Sequence, residues 1–170
     1  MKKIFFIAMI SCLGIFTANA QSTKFSLTGG FVSGTAEVKG GGLTVSNSES
    51  GFYFGAGATF SVAEQSNIYA ELAYMNIDET NFVQLPVLFQ YMVGSNFGIL
   101  VGPQFTLTAE ESVPDFSNFA VGLSGGLSYD FSEDFYGTAR YTYQLTNTYT
   151  GDLDITARIN YLNIGVGYRF

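Results

Sequence analysis

Beyond residue 24, hydrophobic residues recur at every second position through most of the chain. In the last ten residues, Leu162, Ile164, Val166, Tyr168 and Phe170 share one face, and Tyr161, Asn163, Gly165, Gly167 and Arg169 share the other. Successive side chains of a β-strand point to opposite sides, so this pattern predicts a strand with one apolar face and one small or polar face. The same period of two runs through residues 25–32, 52–62, 68–74, 83–93, 98–107, 119–129 and 138–145. With the terminal segment these make eight strands, and no stretch shows a helical period over useful length.

An even number of strands, most of them near the ~9–11 residues a tilted strand needs to cross a bilayer, predicts an eight-stranded antiparallel up-and-down transmembrane β-barrel. Closure follows from the solvent, because a strand edge left unpaired in hydrocarbon costs several kcal/mol per backbone group. The connections fall into two sets. Ala63 to Asn67, Gly94 to Asn96 and Ser132 to Asp134 are short turns. Lys39 to Ser50, Ile77 to Asn81, Glu110 to Ser117 and Thr146 to Asp152 are mostly longer. Short periplasmic turns and longer outer loops are the expected asymmetry, which puts the amino end and Phe170 on the periplasmic side. The first outer connection, with Gly40, Gly41 and Gly42 and then Ser46, Asn47 and Ser48, is expected to be mobile.

Composition agrees with a lipid-facing exterior. Hydrophobic residues make up 47% of the 170-residue chain, aromatics 16% and charged residues only 12%, against about a quarter charged in ordinary soluble domains. The chain opens Met1-Lys2-Lys3, runs apolar from Ile4 to Phe16 and continues Thr17-Ala18-Asn19-Ala20. A charged start, a short apolar run and an Ala-x-Ala site predict a secretory signal peptide over residues 1–20, cleaved after Ala20, with residues 21–170 forming the barrel domain. The apolar run is too short for the ~20 residues of a membrane-spanning helix. Cleavage there would remove Cys12, the chain's one cysteine, and with it thiol chemistry and disulfides. It would also remove Lys2 and Lys3, leaving five basic against fourteen acidic residues, a formal charge of −9. Such a balance makes nucleic acid an unsuitable partner.

Charge decides which face meets lipid. Glu71 and Arg140 sit mid-strand on the small or polar face. A lipid-facing Arg at the midplane costs ~2–4 kcal/mol, so that face points inward and the apolar rows point out to outer-membrane lipid. Phe97, Tyr129, Phe131, Phe135, Tyr168 and Phe170 would form an aromatic girdle at the periplasmic side, and Phe52, Phe54, Phe82, Phe119 and Tyr143 would lie near the other. Glu71 and Arg140 are expected at similar depth in the lumen, with Gln90, Gln104, Tyr69 and Tyr136 in reach. Two readings are open for this cluster: a polar path or binding site, or an ion-paired plug. The narrowness of an eight-stranded barrel favours the plug. Pro86 and Pro103 interrupt neighbouring strands almost opposite one another, which predicts a shared bulge or kink.

The terminal strand, with Leu162, Ile164, Val166, Tyr168 and a final Phe170, resembles the closing strand of bacterial outer-membrane β-barrels. That resemblance implies insertion by the barrel-assembly machinery through the C-terminal strand. Leu85-Pro86-Val87-Leu88-Phe89-Gln90-Tyr91, a short turn, and Gly98-Ile99-Leu100-Val101-Gly102-Pro103-Gln104-Phe105 look like the central hairpin of the small "porin family" outer-membrane β-barrel domain proteins. In size the chain is similar to OmpX-like barrels. The resemblance implies a fold and a location in the outer membrane of a Gram-negative cell, and it carries little about activity.

Catalytic chemistry finds few candidates. The chain has no histidine, which excludes triads and dyads built on one, and it carries no phosphate loop, metal signature or cofactor motif. Glu49, Asp78, Glu79, Glu110, Glu111, Asp115, Asp152 and Asp154 could offer oxygen ligands to divalent cations, but their spacing matches no calcium loop and fits a solvated acidic rim. The expectation is a non-enzymatic barrel with a side-chain-filled lumen that maintains the envelope or offers its outer loops to a partner. A small-solute porin is one alternative. A soluble lipocalin-like ligand-binding barrel is the other, and it would require the apolar face to point inward.

Overall fold

The computed structural model describes residues 23–110 and 113–170. The segment read as a signal peptide and the acid Glu111 lie outside the described residues. Eight antiparallel strands follow in chain order: β1 (Thr23–Gly40), β2 (Leu43–Ala63), β3 (Ser66–Ile77), β4 (Thr80–Val93), β5 (Phe97–Thr108), β6 (Phe119–Asp130), β7 (Phe135–Gln144) and β8 (Ile155–Arg169). Each pairs with the next, and β8 pairs with β1, so the sheet is a closed up-and-down barrel. Paired residues can be followed once around it, from Thr23 to Phe60, Ile68, Phe89, Val101, Gly125, Tyr141, Leu162 and back to β1 at Ser33. The path returns ten residues beyond its start. A stagger of that size over eight strands tilts them roughly 40° from the barrel axis and leaves an interior that side chains can fill.

The alternation sorts the side chains as the period requires. Phe25, Leu27, Phe31, Phe54, Leu72, Phe89, Ile99, Val101, Leu123, Leu127, Tyr141, Ile164 and Val166 all stand exposed on the outer wall. A continuous apolar belt of this extent is far larger than the patches that soluble monomers leave in water. Glu71 and Arg140 lie inside, each 1% exposed. Leu162, Ile164, Val166, Tyr168 and Phe170 face outward along the closing strand, while Arg169 faces in. Phe97 pairs with Tyr129 and Phe135 with Tyr168 at the end that carries the short turns and the chain terminus.

Four expectations need correction. Residues 39–50 do not form a loop: β1 and β2 run on as a paired hairpin to a two-residue turn at Gly41 and Gly42, both with positive φ (58° and 79°). A glycine pair meets the demand of a tight hairpin turn for positive φ at both positions, so the polar residues around it pair across the hairpin. The height of this end comes partly from strand, with a second two-residue turn at Asp78 and Glu79 and longer connections only between β5 and β6 and between β7 and β8. The described parts of those two connections meet, with Phe116 bridging to Tyr149, their rings 5.5 Å apart.

Second, Phe82 does not join an outer girdle. It lies on the same face of β4 as Gln84 and is buried inside. Third, the prolines produce no bulge: β4 and β5 pair up to Pro86↔Gln104 and resume at Phe89↔Val101 with the same offset. Proline supplies no ladder donor, so the ladder skips two pairs without slipping. Gly102 lies in that gap, where a Cβ would come within 2.3 Å of the Val87 carbonyl oxygen. The register shift in the described ladders falls instead at Ser61 and Ala63, where β2 meets β3. Fourth, the inner face is not small or polar throughout, as the lumen shows.

Candidate functional site: a sealed lumen

The inward positions of the strands divide into two zones. Nearer the short-turn end, the inner face carries Ser26, Thr28, Glu71, Gln90, Gln104, Ser124, Ser128, Thr138, Arg140 and Thr142, all buried. Arg140 Nη2 donates to Glu71 Oε1 at 2.8 Å. The other carboxylate oxygen accepts from the Thr28 hydroxyl at 3.0 Å and from the Tyr69 hydroxyl. The Arg140 guanidinium also lies 5.8 Å from the Tyr69 ring centre, in cation–π range. One carboxylate is thus held by a guanidinium and two hydroxyls. That is the arrangement a buried charge needs to survive away from water.

Of the six residues singled out in the sequence, Glu71, Arg140 and Tyr69 come into one contact network. Tyr136 joins it through a side-chain hydrogen bond with Tyr69, while Gln90 and Gln104 line the same lumen but bond elsewhere. Gln90 donates to Ser128 Oγ at 2.9 Å and accepts from Asn67 at 3.2 Å. Gln104 accepts from Thr142 at 3.0 Å. Tyr136 donates to Ser26 Oγ at 3.0 Å and lies under Arg169, whose guanidinium is 4.1 Å from the ring centre and pairs with Asp130 at 2.8 Å. Arg169, Tyr136 and Asp130 therefore close the short-turn mouth. Thr28 and Arg169 were not among the expected site residues, although both follow from the strand period and register.

Above the polar band, Val32, Tyr53, Ala73, Met75, Ile77, Phe82 and Tyr161 form an apolar cluster inside the barrel, with Ile159 packed against it. Phe82 and Tyr161 meet edge to face, ring centres 6.0 Å apart at 69°, a favoured aromatic geometry. Glycines on facing strands make room for the large inward rings: a Cβ on Gly165 would come within 2.3 Å of the Tyr53 hydroxyl, and one on Gly167 within 2.3 Å of the Tyr136 ring. Two hollows open at the mouths, about 280 Å³ above the apolar cluster and about 160 Å³ beside Arg169. Between Tyr69, Gln90 and Tyr136 the space shrinks to about 10 Å³, about the room of one water molecule. Among the described residues no three His, Cys, Asp or Glu side chains converge as a metal site would require.

Sealed by side chains and belted by apolar residues, the molecule has the fold of the small eight-stranded outer-membrane β-barrels. Solved structures share it. Ail, the attachment invasion locus protein of Yersinia pestis, superposes with a TM-score of 0.52 over 88% of this chain and 100% of its own, at 16% identity. A de novo designed transmembrane β-barrel gives 0.52 over 89% and 100%, at 12% identity. The outer-membrane protein AlkL, solved in lipid bilayers, gives 0.50 over 91% and 93%, also at 12% identity. No family model matches the chain. No curated protein matches it.

Proposed function

We propose that this protein is a non-enzymatic outer-membrane barrel that conducts no solute and serves the cell through what it presents above the membrane. The carrying observation is the double seal. An ion pair that is 1% exposed on both sides and a separate apolar cluster both cross an interior no wider than its own side chains. What extends beyond the belt is the β1–β2 hairpin with the start of β8, flanked by the joined long loops. In this reading residues 1–20 are an export signal cleaved after Ala20, and residues 21–170 form the barrel domain. The barrel-assembly machinery takes it up by its closing strand, Leu162 to Phe170. Glu71, Arg140, Tyr69, Gln90, Gln104 and Tyr136 then have a structural role.

The porin alternative fares worse against this interior. The lipocalin alternative requires apolar residues inside and charge outside, the reverse of the arrangement here. Purified protein in planar bilayers is expected to give no stable single-channel current. A reproducible open-state current would overturn the reading in favour of a pore. Membrane fractionation with gel mobility before and after heating tests location and barrel state.

A further inference from the structure

We propose that the free edge of β2 between Leu43 and Ser50 takes up an extended polypeptide as an added strand, one with apolar residues at alternate positions and basic residues at its flanks. The proposal deepens the surface-presenting reading above and rests on it.

The edge follows from register. β2 pairs with β1 from its first residue, but its pairing with β3 starts only at Gly51↔Ile77. No described residue pairs with the other side of Leu43–Ser50, and all eight are exposed. The tight turn closes on Gly40↔Leu43, which makes that a hydrogen-bonded pair and sets the phase of the ladder. Leu43, Val45, Asn47 and Glu49 therefore direct their amides to β1. Thr44, Ser46, Ser48 and Ser50 direct theirs to the open side. Proteins usually blunt such an edge with proline, lysine or a bulge. This stretch has neither residue, and the register shift in β2 lies at its far end.

The face beside the edge says what the strand should carry. Val38, Leu43, Val45 and Leu153 are 45–73% exposed and line, with Ile155, a hollow of about 520 Å³. A strand added beside β2 would project every second side chain onto this apolar surface. Asp154 lines the same hollow, and Glu49, four residues along β2 from Val45 and on the same face, lines the space at the barrel mouth, which favours lysine or arginine at the flanks of the segment. A second copy in the same membrane does not fit. It would be related by rotation about the membrane normal, so strands tilted roughly 40° would cross at about twice that angle and could not run side by side.

The test uses the full barrel in lipid nanodiscs and a synthetic peptide of alternating valine and threonine, as long as the open edge and flanked by lysines. The expected result is saturable binding that slows amide exchange at Thr44, Ser46, Ser48 and Ser50. Ser46→Pro combined with Ser48→Pro removes two open-side donors while leaving the β1 ladder intact, so affinity should fall roughly tenfold or more with the heat-shifted gel mobility unchanged. The same peptide N-methylated along one edge should lose binding to the unaltered barrel, which tests the proposal without any protein variant. Absence of binding, or binding indifferent to both the prolines and the N-methyl groups, would overturn it. Either result leaves the conductance test of the sealed barrel standing, and a conducting barrel that still protected these four amides would sink only the sealed-barrel reading.

Discussion

The two halves of the lumen solve one problem by opposite means. The band around Glu71 and Arg140 fills the interior mostly with charge, amides and hydroxyls, with Leu88 and Leu100 packed against Tyr69, and the cluster around Met75 and Phe82 fills it mostly with hydrocarbon. The apolar half is the simpler to satisfy, since Val32 is fully buried and asks for nothing but contact, and Met75 beside it takes only a weak bond from Asn163. The polar half is not fully satisfied. Arg140 Nε and Nη1 and the side-chain nitrogen of Gln104 have no protein hydrogen-bond partner. A partly bonded polar network stakes more energy on each member than an apolar core does. The sensitivity of the barrel should therefore be concentrated in the band, even though both halves block the same passage.

The sharpest way to break this contrast is Arg140→Ala. It strands the Glu71 carboxylate in the interior and should cost about 3–5 kcal/mol, read as a lower urea midpoint for unfolding from lipid vesicles. Unchanged unfolding would reject the pairing as the centre of the band. Replacing both partners, with Arg140→Met and Glu71→Leu, should recover most of that loss because no lone charge remains. A double variant as weak as the single one would show that the surrounding hydroxyls need the ion pair.

In the other half, Met75→Ala should cost about 2–4 kcal/mol by opening a cavity, and bilayer current should stay absent because the band below still closes the lumen. Gly126→Ala probes the fit between neighbouring strands, since its Cβ would meet the Ala139 carbonyl oxygen at 2.4 Å and Arg140 Cα at 2.8 Å. Overpacking of this kind should cost about 1–3 kcal/mol in the same unfolding assay. The smallest effect is expected from Arg169→Gln at the short-turn mouth. Its bridge to Asp130 is partly exposed (10% and 19%), so the loss should be roughly 1 kcal/mol or less and should shrink further in high salt.

Much of this was legible along the chain. Period two gave the strands, and the positions of Glu71 and Arg140 gave the inner face. The turn chemistry at Gly41 and Gly42 was legible too, but the serine-rich stretch after it reads as loop until cross-strand pairing with residues 33–40 is known. Phe82 shows the same limit. Its parity with Gln84 places it inside, while its aromatic character suggests an interfacial girdle, and parity prevailed because a strand cannot turn one side chain without turning its neighbours. Pro86 and Pro103 announced an irregularity whose form, two skipped pairs without slippage, depends on how closely β4 and β5 approach at Gly102.

The sequence by itself determined the wall: which side chains face out and which face in, and hence that the two charges share the interior. Only the tertiary structure decided what the interior is. Register and a stagger of ten residues bring Glu71 of β3 against Arg140 of β7 and Thr28 of β1, and set Phe82 of β4 against Tyr161 of β8. The physical reason is that alternation is a local property of one strand, whereas height and neighbour across a closed cylinder are fixed by the offsets summed around all eight.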